Sequence, residues 1–432
     1  MTRFTAATIL TALIIAMALV PTAAADLVSY VKTDDKAYRW EWTAHTDRVD
    51  GTTVHELTLI SQVWHGITWQ HRLRIITPTG MQSMPPLALL IISGSGDGEP
   101  ELREGGFMAH ELGAAVAILH DIPNQPLFGG LVEDDLLAHT FAKYIATHDT
   151  TWPLLLPMVK GAVKAMDAIQ EFMQRELHAD VAGFVVSGAS KRGWTTWLTP
   201  VVDGRVKAIA PQVYDNLNLA KQLQHQRETW GQLSGQISEY TERGLPQRLL
   251  AGEKEAVELA AMVDPFAYRQ RIAIPKLIIL GTNDPYWPLD ALNIYYDELI
   301  GETHVLYLPN AGHDLGPRRE RAVAGLVALF QKTVGRLKLP RLRWESGEEE
   351  GTITFALTSE MTPRTARAWV ATAPTKDFRH ATWGTFAMTP EHHRYIYTRA
   401  KPPGGFIAMF GEAVYGEDQR QFSLSTTVRI FP

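Results

Sequence analysis

The stretch GFVVSGASKRGWTTWL, Gly183 to Leu198, runs from an apolar, β-branched segment through small residues around Ser190 into a helix-forming one. That order is the sequence shape of a nucleophile elbow, a sharp strand-to-helix turn that lifts a serine hydroxyl to the carboxyl edge of a parallel sheet. Gly188 before the serine and Gly193 after it leave room for such a turn. The usual pattern has glycine two positions after the serine; here Arg192 stands there and glycine follows one later, in GASKRG. Taken alone, the string also fits a strand that ends in a turn, with Ser190 capping the helix.

Upstream, LALLII (Leu87 to Ile92) is the continuous apolar run expected of a strand buried on both faces. It ends in SGSGDGE, Ser93 to Glu99, which lacks the Lys-Ser/Thr of a P-loop and the spacing of a dinucleotide fingerprint. The backbone N–H groups of Gly94 and Ser95 are instead candidates to join that of Lys191 in an oxyanion hole, with a plain flexible turn as the alternative. Earlier still, Val31 to Trp42 reads as a short amphipathic leading segment, and Val54 to Trp64 with Thr68 to Thr77 as an antiparallel hairpin. Ala114 to Leu119 is another buried strand, and Pro153 to Glu176 carries Val159, Val163, Met166, Ile169 and Phe172 at helical spacing.

Downstream, Val206 to Val213, Lys276 to Leu280 and Val305 to Leu308 are short apolar strands, and Glu320 to Val334 is a final helix. Strands alternating with helices predict a mostly parallel sheet covered on both faces, an α/β-hydrolase-like unit over residues 26–338. The segment Asn216 to Arg271 interrupts it with two or more helices, either a lid over the carboxyl edge or additional packing. From Leu339 to the end, residues 339–432, helical periodicity gives way to strands at Gly351 to Thr358, Ala366 to Ala373, Tyr395 to Arg399, Phe406 to Phe410 and Phe422 to Ile430. Pro- and Gly-containing turns divide them, which predicts a β-sandwich of the immunoglobulin or fibronectin kind.

A serine nucleophile needs a base to take its proton and an acid to orient that base, in the chain order Ser, Asp or Glu, His. Strand Lys276 to Leu280 leads into GTNDPYW and so to Asp284, and strand Val305 to Leu308 leads into PNAGHDLG and so to His313. Ser190, Asp284 and His313 therefore fall at one edge of the sheet and form the candidate catalytic set. Asp215 is the second choice of acid, and Asp314 points the wrong way to orient its own neighbour's ring. Lys191 and Arg192 offer positive charge for an acidic substrate group or the oxyanion, though Arg192 equally suits an ion pair. Trp194, Trp197, Trp230, Tyr286 and Trp287 suggest an aromatic substrate wall, with core packing as the other account.

Composition narrows the function classes. A net charge of -6 argues against nucleic acid as a partner. The absence of cysteine excludes thiol catalysis and Cys-ligated metal. There is no H-E-x-x-H, and His392-His393 beside Pro390 reads as a solvated turn, so no metal and no cofactor are expected. Arg3, the apolar run Ala6 to Val20 and Ala23-Ala24-Ala25 read as a signal peptide over residues 1–25, cleaved after Ala25. No later segment looks membrane-spanning, and no asparagine lies in an N-x-[ST] sequon, so the expected address is periplasmic or extracellular.

Five stretches, SGASKRGWTTWLT, QLQHQRETWGQLSGQI, MVDPFAY, PKLIILGTNDPYW and LPNAGHDLG, resemble the PhoPQ-activated pathogenicity-related protein family. They span most of Leu27 to Pro340, and the tail is similar in character. The resemblance implies an exported α/β-hydrolase with a C-terminal β domain, associated in bacteria with virulence and survival of antimicrobial peptides. It also implies that Ser190, Asp284 and His313 are the triad positions, and it leaves the substrate open. Over a few residues the Ser-Lys-Arg-Gly elbow is similar as well to the Ser-Arg-x-Gly of glucuronoyl esterases. The expected function is a secreted serine hydrolase acting on a small-molecule ester, or next on a peptide, through an acyl-enzyme. The alternative is a non-catalytic secreted factor that binds a peptide or surface ligand.

Overall fold

The computed structural model describes residues 23–48, 50–80, 84–96, 98–392, 394–417 and 420–432. Most of the segment expected to be a signal peptide thus lies outside the described residues, and its last three positions open α1 (Ala23–Lys32). The leading segment is not a single element: α1 stops at Lys32, and β1 (Arg39–Asp47) starts a strand that pairs with β2 (Thr52–Trp64). β2 returns as β3 (Ile67–Pro78) through His65 and Gly66, both at positive φ. That conformation gives a two-residue hairpin the twist its strands need.

Six parallel strands follow in the spatial order β5 (Val116–Leu119), β4 (Leu87–Ile92), β6 (Gly183–Ala189), β7 (Val206–Gln212), β8 (Lys276–Gly281) and β9 (Thr303–Leu308). β3 joins β5 antiparallel at one side. Helices α2 (Glu99–Leu112), α3 (Glu133–Thr147), α4 (Leu155–Leu177) and α5 (Lys191–Val202) connect the strands up to β7. Between β7 and β8 come α6 (Leu219–Trp230), α7 (Ser238–Glu242), α8 (Leu245–Leu250) and α9 (Lys254–Val263), and α10 (Arg319–Thr333) follows β9.

Alternate residues of the central strands feed two cores. Leu90, Ile92, Phe184 and Val186 pack with Met166, Ile169 and Phe172 of α4 and Trp197 of α5. Leu89 and Val185 pack with Leu102 and Met108 of α2 and Leu326 and Phe330 of α10. This is the inside-out alternation of a pleated strand, both faces being apolar because both are covered. Burying a side chain the size of Phe172 contributes roughly 1.5–3 kcal/mol. The architecture is that of an α/β-hydrolase.

The C-terminal strands form two antiparallel layers. One consists of β10 (Leu342–Glu349), β11 (Thr352–Ser359), β14 (Thr389–Glu391) and β15 (Arg394–Ala400). The other consists of β12 (Thr365–Ala373), β13 (Gly384–Ala387), β16 (Phe406–Tyr415), β17 (Phe422–Ser425) and β18 (Arg429–Phe431), and it continues the central sheet. β17 pairs with β9 at Ser425 and Val305, and the Ser425 hydroxyl accepts the Tyr307 N–H at 3.1 Å. An unpaired β9 edge would leave its backbone groups open to another chain, and β17 covers it. The run expected as one strand from Phe422 to Ile430 is broken where Thr426 Oγ1 accepts the Gly411 N–H (3.0 Å) and donates to the Thr427 carbonyl (2.9 Å). A side chain there takes the place of the ladder. Among the described residues no helix is long and apolar enough to cross a membrane.

Candidate active site

Ser190 sits between β6 and α5 with φ 57° and ψ −126°. A non-glycine residue in that region carries strain of order 1–3 kcal/mol and persists only where its surroundings fix it. Two bonds do so: the Ser190 N–H donates to the Gln212 carbonyl (2.9 Å), and its carbonyl accepts the Trp194 N–H (3.0 Å). The glycines explain the shifted spacing. A Cβ on Gly188 would lie 2.7 Å from the Arg192 carbonyl oxygen, and one on Gly193 would lie 2.8 Å from the Gln212 carbonyl oxygen. The helix therefore crosses the neighbouring strand at the third residue after the serine, which must be glycine, while Arg192 at the second is free to carry a long side chain.

Asp284 follows β8, and His313 follows β9. His313 Nδ1 lies 2.7 Å from Asp284 Oδ2, and its Nε2 lies 2.9 Å from Ser190 Oγ. A carboxylate only accepts, so Nδ1 carries the proton toward Asp284, and Nε2 is left to accept from the serine hydroxyl. Asp284 is buried, and its other oxygen accepts the Tyr286 N–H at 2.9 Å. The Tyr286 ring stacks on the imidazole with centroids 4.2 Å apart. Asp215, the second choice of acid, makes no bond to His313: it is buried and accepts the Tyr295 hydroxyl (2.8 Å). Burial pushes its pKa up to about 8, a shift opposed by the Tyr295 bond and reinforced by Asp284, so near neutral pH it is protonated.

The two loops that carry Asp284 and His313 are tied to the C-terminal strands. Asn283 Nδ2 donates to the carbonyls of Arg379 (3.1 Å) and Ala381 (2.8 Å), in the connection between β12 and β13. Asn310 donates to the Trp383 carbonyl (3.1 Å) and accepts the Trp383 N–H (2.8 Å). Sequence reading passed over both asparagines, because a side chain bonding to distant backbone leaves no local pattern.

The cations beside the serine are already paired. Lys191 Nζ reaches Glu133 Oε2 (2.7 Å) and Asp134 Oδ2 (3.2 Å). Arg192 makes a two-pronged bond to Glu133 (2.7 and 2.6 Å), and its Nε donates to the Ile122 carbonyl. Burial alone would raise the Glu133 pKa, but the bonds and charges of Arg192 and Lys191 outweigh it and hold the carboxyl well below its usual range. Arg192 thus takes the ion-pair alternative, bracing the elbow through Glu133 and the Ile122 carbonyl.

The Lys191 N–H stands in the first turn of α5, where amides have no carbonyl one turn back and the helix dipole favours negative charge. Gly94 lies against the Arg192 guanidinium, where a Cβ would come within 2.6 Å of Nη2, and its carbonyl accepts the Asp121 N–H (3.0 Å). The Gly94-Ser95 turn therefore borders the elbow through Arg192, and among the described residues no hydrogen bond joins it to the Ser190 hydroxyl.

A cavity of about 120 Å³ opens beside Ser190, roofed by residues of α6, α8 and α9. Trp194, Tyr286 and Trp287 line it, and Trp194 donates to the Val263 carbonyl (2.5 Å) and stacks on Tyr214. Trp230, also expected in a substrate wall, is not among its lining residues: its ring lies under the Arg379 guanidinium, 4.1 Å from the centroid. Trp197 is fully buried in the core. His392 is exposed at positive φ, and His393 is outside the described residues, among which no cluster of three or more His, Cys, Asp or Glu could hold a metal ion.

A family model described as PhoPQ-activated pathogenicity-related protein matches residues 27–379. The chain belongs to that family. The family match ends inside the connection that holds Asn283 and Asn310, so Arg379 lies within it and Ala381 and Trp383 lie beyond it. A relative, autocrine proliferation repressor protein A of Dictyostelium discoideum, is 31% identical over 430 residues, covering 90% of this chain and 85% of that protein. Among solved structures, an acetyl xylan esterase from Paenibacillus sp. R4 matches with a TM-score of 0.50 at 15% identity, over 70% of this chain and 92% of that one. At that identity the match speaks for the fold alone. Another acetyl xylan esterase, from Thermoanaerobacterium sp. JW/SL YS485, has a TM-score of 0.49 at 15% identity, over 71% of this chain and 93% of that one.

Proposed function

We propose that this protein is an exported serine hydrolase that cleaves an ester, or next in rank an amide, through an acyl-enzyme. The observation that carries the reading is the unbroken series of hydrogen bonds from Ser190 Oγ through His313 to Asp284. Ser190 Oγ attacks the substrate carbonyl carbon as its proton passes to His313 Nε2, and Asp284 stabilises the resulting imidazolium. The oxyanion faces the Lys191 N–H at the start of α5. Collapse of the tetrahedral species breaks the bond to the leaving group, which takes the proton from Nε2; water then repeats the sequence on the acyl-enzyme. A fluorophosphonate is expected to label Ser190 of the wild type and to spare Ser190→Ala, as read by intact-mass spectrometry. Labelling that survives the substitution sinks the assignment.

Export rests on the amino-terminal residues alone, and N-terminal sequencing of protein recovered outside the cytoplasm tests it. A second reading, a secreted factor that acts by binding, draws on the name of the Dictyostelium relative. Its signature is a biological effect that Ser190→Ala retains in full.

A further inference from the structure

The cavity beside Ser190 has a lopsided lining. Ser190 and Lys191 border it, whereas His313 does not and is screened from it by the Tyr286 ring stacked on its imidazole. If Ser190 is the nucleophile, as proposed above, the leaving group must lie next to His313 Nε2, from which it takes its proton. The space on the Lys191 side is then left to the other substituent of the carbonyl. We propose that this cavity is the acyl subsite, and that it takes an uncharged, apolar acyl group about the size of a ring or a five-carbon chain.

The walls set the polarity. Trp194, Tyr214, Leu223, Leu245, Leu259 and Val263 supply apolar surface from the core and from three insert helices. The charged side chains among the lining residues are Lys191 and Asp134, and they pair with each other at 3.2 Å. Asp134 also accepts the Tyr240 hydroxyl (3.0 Å), and Lys191 is held by Glu133 as well (2.7 Å). An anionic acyl group would meet the Asp134 carboxylate and find no unpaired cation in the lining.

The volume sets the size. An apolar cavity of about 150 Å³ stays dry and admits benzene, and this one measures about 120 Å³. A benzoyl ring or a chain from butanoyl to hexanoyl fills such a space; a bare acetyl leaves most of it empty. The subsite therefore selects against both the smallest acyl groups and the charged ones.

The test uses the full chain and p-nitrophenyl ethyl phosphonates bearing methyl, propyl, pentyl or carboxybutyl groups, with the Ser190 adduct followed by intact mass. The second-order rate is expected to rise about fourfold for each methylene buried, up to pentyl, and the carboxybutyl probe should react more slowly than pentyl. A methyl probe as fast as pentyl, or a carboxybutyl probe faster than it, overturns the assignment. Leu259→Trp fills the cavity and should lower the pentyl-to-methyl ratio about tenfold or more; an unchanged ratio also overturns it. Because each ratio is taken within one sample, it does not depend on how much of the variant has folded. A small sulfonyl fluoride separates the two failures. An adduct on Ser190 with a flat alkyl series removes the subsite alone, whereas no adduct from either reagent removes the nucleophile and the subsite together.

Discussion

Ser190 and its two partners are held in place in different ways. The serine is fixed by its own neighbourhood: Gln212 on the next strand, Trp194 one turn on, and two glycines that let α5 pass close to β6 and β7. The loops that carry Asp284 and His313 are instead fastened to backbone carbonyls of Arg379, Ala381 and Trp383, about a hundred residues or fewer along the chain. A turn set by local sterics has one way to fold, while a loop set by distant bonds depends on a second unit being in position. Alignment of Asp284 with His313 is thus the property most exposed to changes elsewhere in the chain.

That contrast can be broken or sharpened by substitution. Removing the proposed nucleophile, Ser190→Ala, should lower turnover on the order of 10⁶-fold, and Asp284→Asn about 10⁴-fold through the wrong imidazole tautomer. Asp215→Asn should change kcat within about twofold, because Asp215 bonds to Tyr295 and not to His313; a loss as large as that of Asp284→Asn would reverse the choice of acid.

Next come the fasteners. Asn283→Ala and Asn310→Ala should each lower kcat roughly 10- to 100-fold, the penalty of an ångström-scale misplacement. Their thermal midpoints should fall by only a few degrees, as expected for losing one or two hydrogen bonds. Gly193→Ala should do the opposite, with a large drop in folded yield, because its Cβ meets backbone. If Asn283→Ala left kcat intact, the distant attachment would be structural only.

A last effect concerns pH and is read on stability, not on turnover. The Asp215 pKa is raised to about 8 in the folded chain, against about 3.9 in an unfolded one. The unfolded state releases this proton first, so stability is full below the lower value and is lost as pH climbs toward the upper one. Asp215→Asn removes that penalty. Its urea midpoint relative to wild type should improve between pH 5 and pH 8, and a steady difference would refute the buried neutral carboxyl.

Much of the central unit was legible because each decisive residue follows an apolar strand. LALLII, FVVSG, KLIIL and VLYL mark strands buried on both faces, and the residues just past them reach the same edge. The illegible parts are non-local. Nothing around Lys191 and Arg192 announces that Glu133 and Asp134, at the start of α3, neutralise them. Trp230 belongs by sequence to the aromatic set, yet its ring lies against Arg379, a partner distant in the chain. The shared sheet was invisible for the same reason, since strand partners from different units carry no common signature.

The pairing of β17 with β9 also bears on what holds the molecule together after damage. The linker between α10 and β10 offers trypsin an exposed Lys338. A chain nicked there would still have its final strands built into the sheet of the larger piece, so the two fragments should migrate as one particle until denaturant is added. The tail is less an appendage on a tether than the outer wall of the same building.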